Sequence, residues 1–134
     1  MTTELYWLIL TTAMTAVMWL PYIVNRAMEL GPPPTAWHPQ PDPPPKAAWA
    51  ARTVRAHMNA VENLAIFAPL ILIIHATHSE TATTATVSMV YFFARAAHYA
   101  ICLLGIPIPY RTAAFLLGFI CQMILVATLL SVRY

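Results

Sequence analysis

One short segment of this sequence carries side chains that could bind a small charged molecule. Arg55, Asn59 and Glu62 stand four and three residues apart, so a helix would place all three on one face. Guanidinium groups form paired hydrogen bonds with carboxylates and phosphates. At the helical rise per residue, Glu62 would lie roughly 20 Å along its helix, which is too deep for ordinary solvation. We therefore expect Glu62 to be paired or protonated.

A second segment places Arg95 and His98 three residues apart, with Cys102 further along the same helical stripe. Arg95 interrupts a run from 81 to 110 that is otherwise uncharged. A buried guanidinium needs a partner, because an isolated charge at low dielectric is costly. We expect Arg95 to pair with Glu62 inside the protein.

The signs of these charges do not balance. Arg55, Arg95 and Arg111 fall in the same half of the chain's predicted helices, and Glu62 is the only acid near them. A surplus of positive charge in a low-dielectric cleft favours an anionic ligand. The alternative is that Arg55 and Arg111 simply contact lipid headgroups.

The composition shows which elements must position these residues. The 134 residues are 60% hydrophobic and only 9% charged, whereas soluble domains carry about 25% charged residues. A stretch of 21 residues without a charge separates Glu4 from Arg26, and another of 21 separates Arg111 from Arg133. Each is long enough for a helix to cross a bilayer. The net charge of +2 is too small to indicate nucleic acid as a partner.

The pattern predicts an all-α membrane protein with four transmembrane helices and the lipid bilayer as its solvent. The apolar runs are continuous rather than alternating, which favours helices over strands. No basic region precedes the first span, so we expect that span to be retained rather than cleaved as a signal peptide. We predict one domain over 1–134, with spans at about 5–25, 47–75, 83–104 and 112–132.

The predicted connections differ in composition. Residues 31–45 hold eight of the twelve prolines and should form an extended, stiff surface segment, which serves as a spacer or as a docking site for a partner. The second connection, 78–81, is short and polar. The third, 105–111, contains two prolines and forces a tight reversal.

Basic residues predict the orientation, because they favour cytoplasmic loops. Arg26, Lys46 and Arg52 flank the first connection and Arg111 ends the third, whereas the opposite side has only Arg133. We therefore expect both termini on the non-cytoplasmic side.

The cysteines and histidines do not indicate a metal site. Cys102 and Cys121 both fall within predicted helices, and with five scattered histidines they form no zinc-binding spacing. Buried thiols are the simplest interpretation.

Two motifs resemble signatures of the MAPEG family, the membrane-associated proteins in eicosanoid and glutathione metabolism. Residues 55–62 read RAHMNAVE and are followed by Pro69, like the second helix of that family. Residues 95–98 read RAAH and are followed by Gly105, Pro109 and the pair 111–112, like its third helix and loop. The order and spacing agree along essentially the whole chain.

This resemblance implies a four-helix antiparallel bundle that forms a homotrimer and binds glutathione between subunits, near the cytoplasmic face. Members of the family conjugate glutathione to lipophilic electrophiles, reduce lipid hydroperoxides or isomerise lipid mediators. Arg111 would then activate the glutathione thiol as the catalytic residue, with the neighbouring hydroxyl of Thr112. The candidate binding residues are Arg26, Arg55, Asn59, Glu62, Arg95, His98 and Cys102.

The sequence departs from the family at three positions. Met58 stands where an arginine is frequent, and Cys102 and Phe115 stand where tyrosines are frequent. Two hypotheses follow. One is a glutathione-dependent transferase or peroxidase that acts on a lipophilic substrate, and the other is a non-catalytic membrane scaffold or regulator with the same fold.

Overall fold

The structure, a computed structural model, describes residues 1–31 and 44–131. These residues form helices and their connections, with no strand among them. The prediction of an all-α membrane protein is confirmed, because four of its helical segments are long and apolar enough to cross a bilayer. The helices are α1 (Thr3–Val17), α2 (Leu20–Leu30), α3 (Ala48–Ala76), α4 (Ala82–Leu104) and α5 (Ile108–Ser131).

The first membrane-spanning segment, Thr3–Leu30, consists of α1 and α2 joined at a break. Pro21 lies in the first turn of α2 and has no N–H with which to continue the hydrogen bonds of α1. The hydroxyl of Tyr99 on α4 donates to the carbonyl of Met18 at this break, over 2.7 Å. The break is therefore held against the neighbouring helix.

α4 is the central helix of the bundle and packs against α1, α3 and α5. The core lies among these helices, where the rings of Phe67 and Tyr91 stack with centroids 3.9 Å apart. Leu125 from α5 and Leu8 from α1 pack into the same cluster. This apolar contact occupies the middle of the bundle and fixes how the helices are rotated about their axes.

Short connections make α3, α4 and α5 antiparallel neighbours. α4 starts with a capping box, in which Thr81 and Thr84 each accept from the other's backbone N–H. It ends at Gly105, whose φ of +72° favours glycine. α5 then begins at Ile108 rather than near 112, so Arg111 lies in its first turn and not in the predicted loop.

Part of the sequence prediction falls outside the described residues. The predicted extended segment at 31–45 includes Pro32, Pro33, Pro34, Pro39, Pro41 and Pro43, which lie outside them. Arg133, which entered the orientation argument, also lies outside them.

Candidate functional site

A cavity of about 320 Å³ opens between α3, α4 and α5, where α3 and α5 begin and α4 ends. Its lining combines cationic and polar side chains with apolar ones. Among the described residues that line it, three are arginines and none is acidic. The lining residues are Arg52, Arg55, Ala56, Asn59, His98, Cys102, Arg111, Thr112 and Phe115. We call this region of the bundle the arginine end.

Most of the predicted site residues meet at this cavity. Each helix contributes its own pair, with Arg55 and Asn59 on α3, and His98 and Cys102 on α4. α5 contributes its first-turn residues. The motifs at 55–62 and 95–98, which are separated in sequence, thus face one space.

Arg52 is a cavity residue that the sequence argument did not include among its candidates. Its Nε donates to the carbonyl oxygen of Cys102 over 2.8 Å, which ties the start of α3 to the end of α4. A Cβ at Gly105 would lie 2.8 Å from the Arg52 Nη2, so a side chain there would displace the guanidinium. Arg52 and Arg55 stand one helical turn apart on the same face, and this spacing was the signal that could have identified Arg52.

The predicted ion pair between Glu62 and Arg95 is wrong. Arg95 is only 2% exposed, and its Nη2 donates to the side-chain oxygen of Asn59 over 2.5 Å. Its guanidinium carbon also lies 5.9 Å from the centroid of the Phe115 ring. The Nε and Nη1 of Arg95 have no hydrogen-bond partner among the described residues. Arg95 thus lies behind the cavity wall and holds Asn59.

Glu62 is exposed on the outer surface of α3 and has no ion pair with a described residue. Seven residues turn a helix by about 700°, so Glu62 points within about 20° of Arg55. Arg55 is also exposed. Both side chains lie on the outer surface of α3, whereas Asn59 is turned towards Arg95 on α4.

His98 and Cys102 are buried in the wall of the cavity, at 5% and 6% exposure. The Nδ1 of His98 has no hydrogen-bond partner among the described residues. Phe115 packs at an angle against the imidazole, with ring centroids 6.4 Å apart. The wall therefore combines a partnerless imidazole nitrogen, a thiol and an aromatic ring.

Arg111 lines this cavity and also an adjoining one of about 220 Å³ that extends towards Pro107. It is half-buried. The hydroxyl of Thr112 donates to the Ile108 carbonyl one turn earlier, over 3.1 Å. Arg26 lies on α2, which packs against α3, but it is not among the residues that line the cavity.

The opposite end of the bundle, which we call the glutamate end, has its polar groups paired. Glu4 is 2% exposed and accepts from the hydroxyl of Thr84 over 2.6 Å. In the connection between α3 and α4, Glu80 accepts from His75 Nδ1 over 2.9 Å. This hydrogen bond lowers the pKa of the Glu80 carboxyl below its usual value.

The fold and the cavity together define a multi-pass integral membrane protein with a cationic cleft at one end of its helices. The sequence model of the MAPEG family matches residues 4–131, so the chain belongs to that family, the membrane proteins of eicosanoid and glutathione metabolism. No curated protein matches the chain significantly.

Proposed function

We propose that this protein binds glutathione in the cavity of the arginine end and transfers it to lipophilic electrophiles, or uses it to reduce lipid hydroperoxides. The observation that carries the proposal is the unbalanced charge of the cavity, which has three arginines and no acid among the described lining residues. Glutathione carries two carboxylates, and arginine forks match carboxylate geometry. Membership of the family supports this choice of anion.

The thiol chemistry is assigned to Arg111. A thiol must ionise before it attacks an electrophile, and a nearby fixed cation favours the thiolate. Arg111 lies in the first turn of α5 and lines both cavities. A guanidinium supplies a positive charge beside the bound thiol. The hydroxyl of Thr112 is adjacent and would donate to the thiolate after it leaves its present bond within the helix.

The exposed position of Glu62 supports an assembly of several chains, which we propose to be a homotrimer. Acids at membrane depth usually face a bundle interior or an aqueous cavity, yet Glu62 lies on the outer surface of a single chain. A neighbouring subunit would cover this surface and close the open side of the cavity. Glu62 would then bind the glutathione ammonium, and Arg26 of α2 would approach a carboxylate.

The proposed orientation places the arginine end at the cytoplasmic face. Arg52, Arg55 and Arg111 all lie at this end of the bundle, and basic residues are retained on the cytoplasmic side. Glutathione would enter from the cytosol, while the lipophilic substrate would arrive through the apolar grooves between the helices.

A non-catalytic scaffold is the second candidate, and two cavity residues favour it. Cys102 and Phe115 line the wall at positions where the family often has tyrosine hydroxyls. A site without those hydroxyls would hold glutathione with fewer hydrogen bonds. Binding without turnover is the result that distinguishes this candidate.

The test is calorimetric titration of the purified protein in mild detergent with glutathione, followed by an assay with a chlorinated aromatic electrophile. We expect saturable binding that Arg55→Ala weakens. Lys46→Ala is the matched control, because Lys46 is an exposed cation just before α3 that does not line the cavity. Absence of saturable binding to the wild-type protein would refute the proposal.

A further inference from the structure

Cys102 is placed differently from the other cysteine of the chain. It lies in the last turn of α4 and lines both cavities of the arginine end. Cys121 belongs to the apolar core, where it packs in a cluster with Phe67 and Tyr91. Both are free thiols with little exposure. Cys102 therefore faces a space that a small molecule can enter, whereas Cys121 faces packed side chains.

The imidazole of His98 is an independent indication that this wall carries out chemistry. His98 precedes Cys102 by one helical turn, so both side chains project from the same face of α4. Its side chain is 5% exposed, lines the same cavity, and leaves Nδ1 without a partner in the described part of the chain. A buried polar nitrogen without a hydrogen bond is uncommon, because it costs free energy. In the tautomer that has its proton on Nε2, that nitrogen is available as an acceptor for a ligand in the cavity.

The charges around Cys102 select the kind of molecule that reaches it. Arg52 donates to the Cys102 carbonyl, and Arg55 and Arg111 line the same cavity. No acidic side chain is among the described residues that line either space. A thiolate is stabilised by such cations, and an incoming anion is attracted by them.

We propose that Cys102 is a redox modification site that exchanges with small anionic disulfides to form a mixed disulfide. The Cys102 sulfur, as thiolate, attacks one sulfur of the disulfide. A new S–S bond forms as the original S–S bond breaks, and the other half leaves as a thiolate that takes up the proton released by Cys102. One sulfur of the reagent stays oxidised in the mixed disulfide, the other is reduced to the thiol that leaves, and the Cys102 sulfur is oxidised in its place, so no further oxidant is needed.

This modification regulates the site. The half-molecule attached to Cys102 occupies the space between the arginines, where the reduced thiol ligand would otherwise bind. An oxidising thiol pool therefore closes the cavity, and a reducing one reopens it by the reverse exchange. The inference rests on the proposed anion-binding character of the cavity, but it does not depend on catalysis.

The test uses intact-protein mass spectrometry of the detergent-solubilised protein at low salt. The probes are oxidised glutathione, which is anionic, and cystamine, which is a cationic disulfide. Each rate is divided by the rate of the same disulfide with free cysteine. We expect one mixed disulfide per chain, formed at least ~10-fold faster with the anionic probe after this correction. Cys102→Ser should abolish the adduct, whereas Cys121→Ser should retain it.

Several results would overturn the inference. These are the absence of an adduct with either probe, equal corrected rates for both probes, or an adduct that survives in Cys102→Ser. Glutathione binding, measured on the same preparation, separates this failure from that of the proposed function. Saturable binding without an adduct refutes only the modification of Cys102, whereas a Cys102 adduct without saturable binding of reduced glutathione refutes only the proposed function.

Discussion

The two ends of the helix bundle treat polar groups in opposite ways. At the glutamate end, Glu4 is buried and accepts from Thr84 over 2.6 Å, and Glu80 accepts from His75 over 2.9 Å. At the arginine end, His98 Nδ1 and two nitrogens of Arg95 have no partner among the described residues. The cavity of about 320 Å³ lies beside them.

This difference indicates which end serves stability and which serves binding. Buried polar groups are almost always hydrogen-bonded, because an unpaired one loses its hydration without compensation. The glutamate end meets this requirement with its own side chains. The arginine end leaves donors and cations available, as a site that binds a charged ligand must. The stacked pair of Phe67 and Tyr91 separates the two regions with an apolar layer.

The largest loss of stability should come from a substitution in the aromatic layer, where Phe67 is fully buried. Phe67→Ala removes a ring stacked on Tyr91 and should lower the free energy of unfolding by about 3 kcal/mol. Phe115→Ala is the matched control, since Phe115 is half-buried and borders the cavity, and it should cost much less. Denaturation in mixed micelles measures both. Equal losses of stability in the two variants would contradict the distinction between the packed aromatic layer and the open cavity.

A smaller loss of stability is expected when the hydrogen bond between Asn59 and Arg95 is removed. Asn59→Leu removes the acceptor of the Arg95 guanidinium and should destabilise the protein by about 2 kcal/mol, because a buried charge loses its hydrogen bond. The double variant Asn59→Leu, Arg95→Met removes both polar groups and should regain most of that loss. Denaturation in mixed micelles measures both the loss and the recovery of stability. A double variant less stable than Asn59→Leu would show that Arg95 has other essential contacts.

The smallest effect concerns the contact between α1 and α4 at the glutamate end. Glu4→Leu and Thr84→Val each remove one partner of a buried hydrogen bond, and a double-mutant cycle should give a coupling of about 1 kcal/mol. Glutathione binding should be unchanged, because neither residue lines the cavity. A change in affinity would mean that the two ends are coupled.

The fold was predictable because hydrocarbon excludes charge. Uncharged runs such as those after Glu4 and Arg111 gave an all-α protein with four spans, and the structure has four such segments. Boundaries were less predictable. Proline is tolerated in the first turn of a helix, so α5 could begin at Ile108, before Pro109.

Most of the residues predicted for the site line one cavity, but the pairing of their side chains was not predictable. Helical spacing grouped Arg55 with Asn59 on one helix and His98 with Cys102 on another, and the family resemblance gave Arg111 and Thr112 their catalytic roles. Spacing does not say how two helices are rotated relative to each other. That rotation is set by core contacts such as Phe67 on Tyr91, and it turned Asn59 rather than Glu62 towards Arg95. The contact of Arg52 with a backbone carbonyl of α4 could not be read from side-chain spacing, although its position one turn before Arg55 could have indicated that it lines the cavity.

The most direct test of the account is the ionisation of glutathione bound at the arginine end. Thiolate absorbs at ~240 nm, so the difference spectrum of protein with and without glutathione reports its ionisation. We predict a saturable thiolate signal at neutral pH for the wild-type protein and for Lys46→Ala, and its loss in Arg111→Ala with folding intact. Bound glutathione without a thiolate signal, or an undiminished signal in Arg111→Ala, would contradict thiol activation by Arg111.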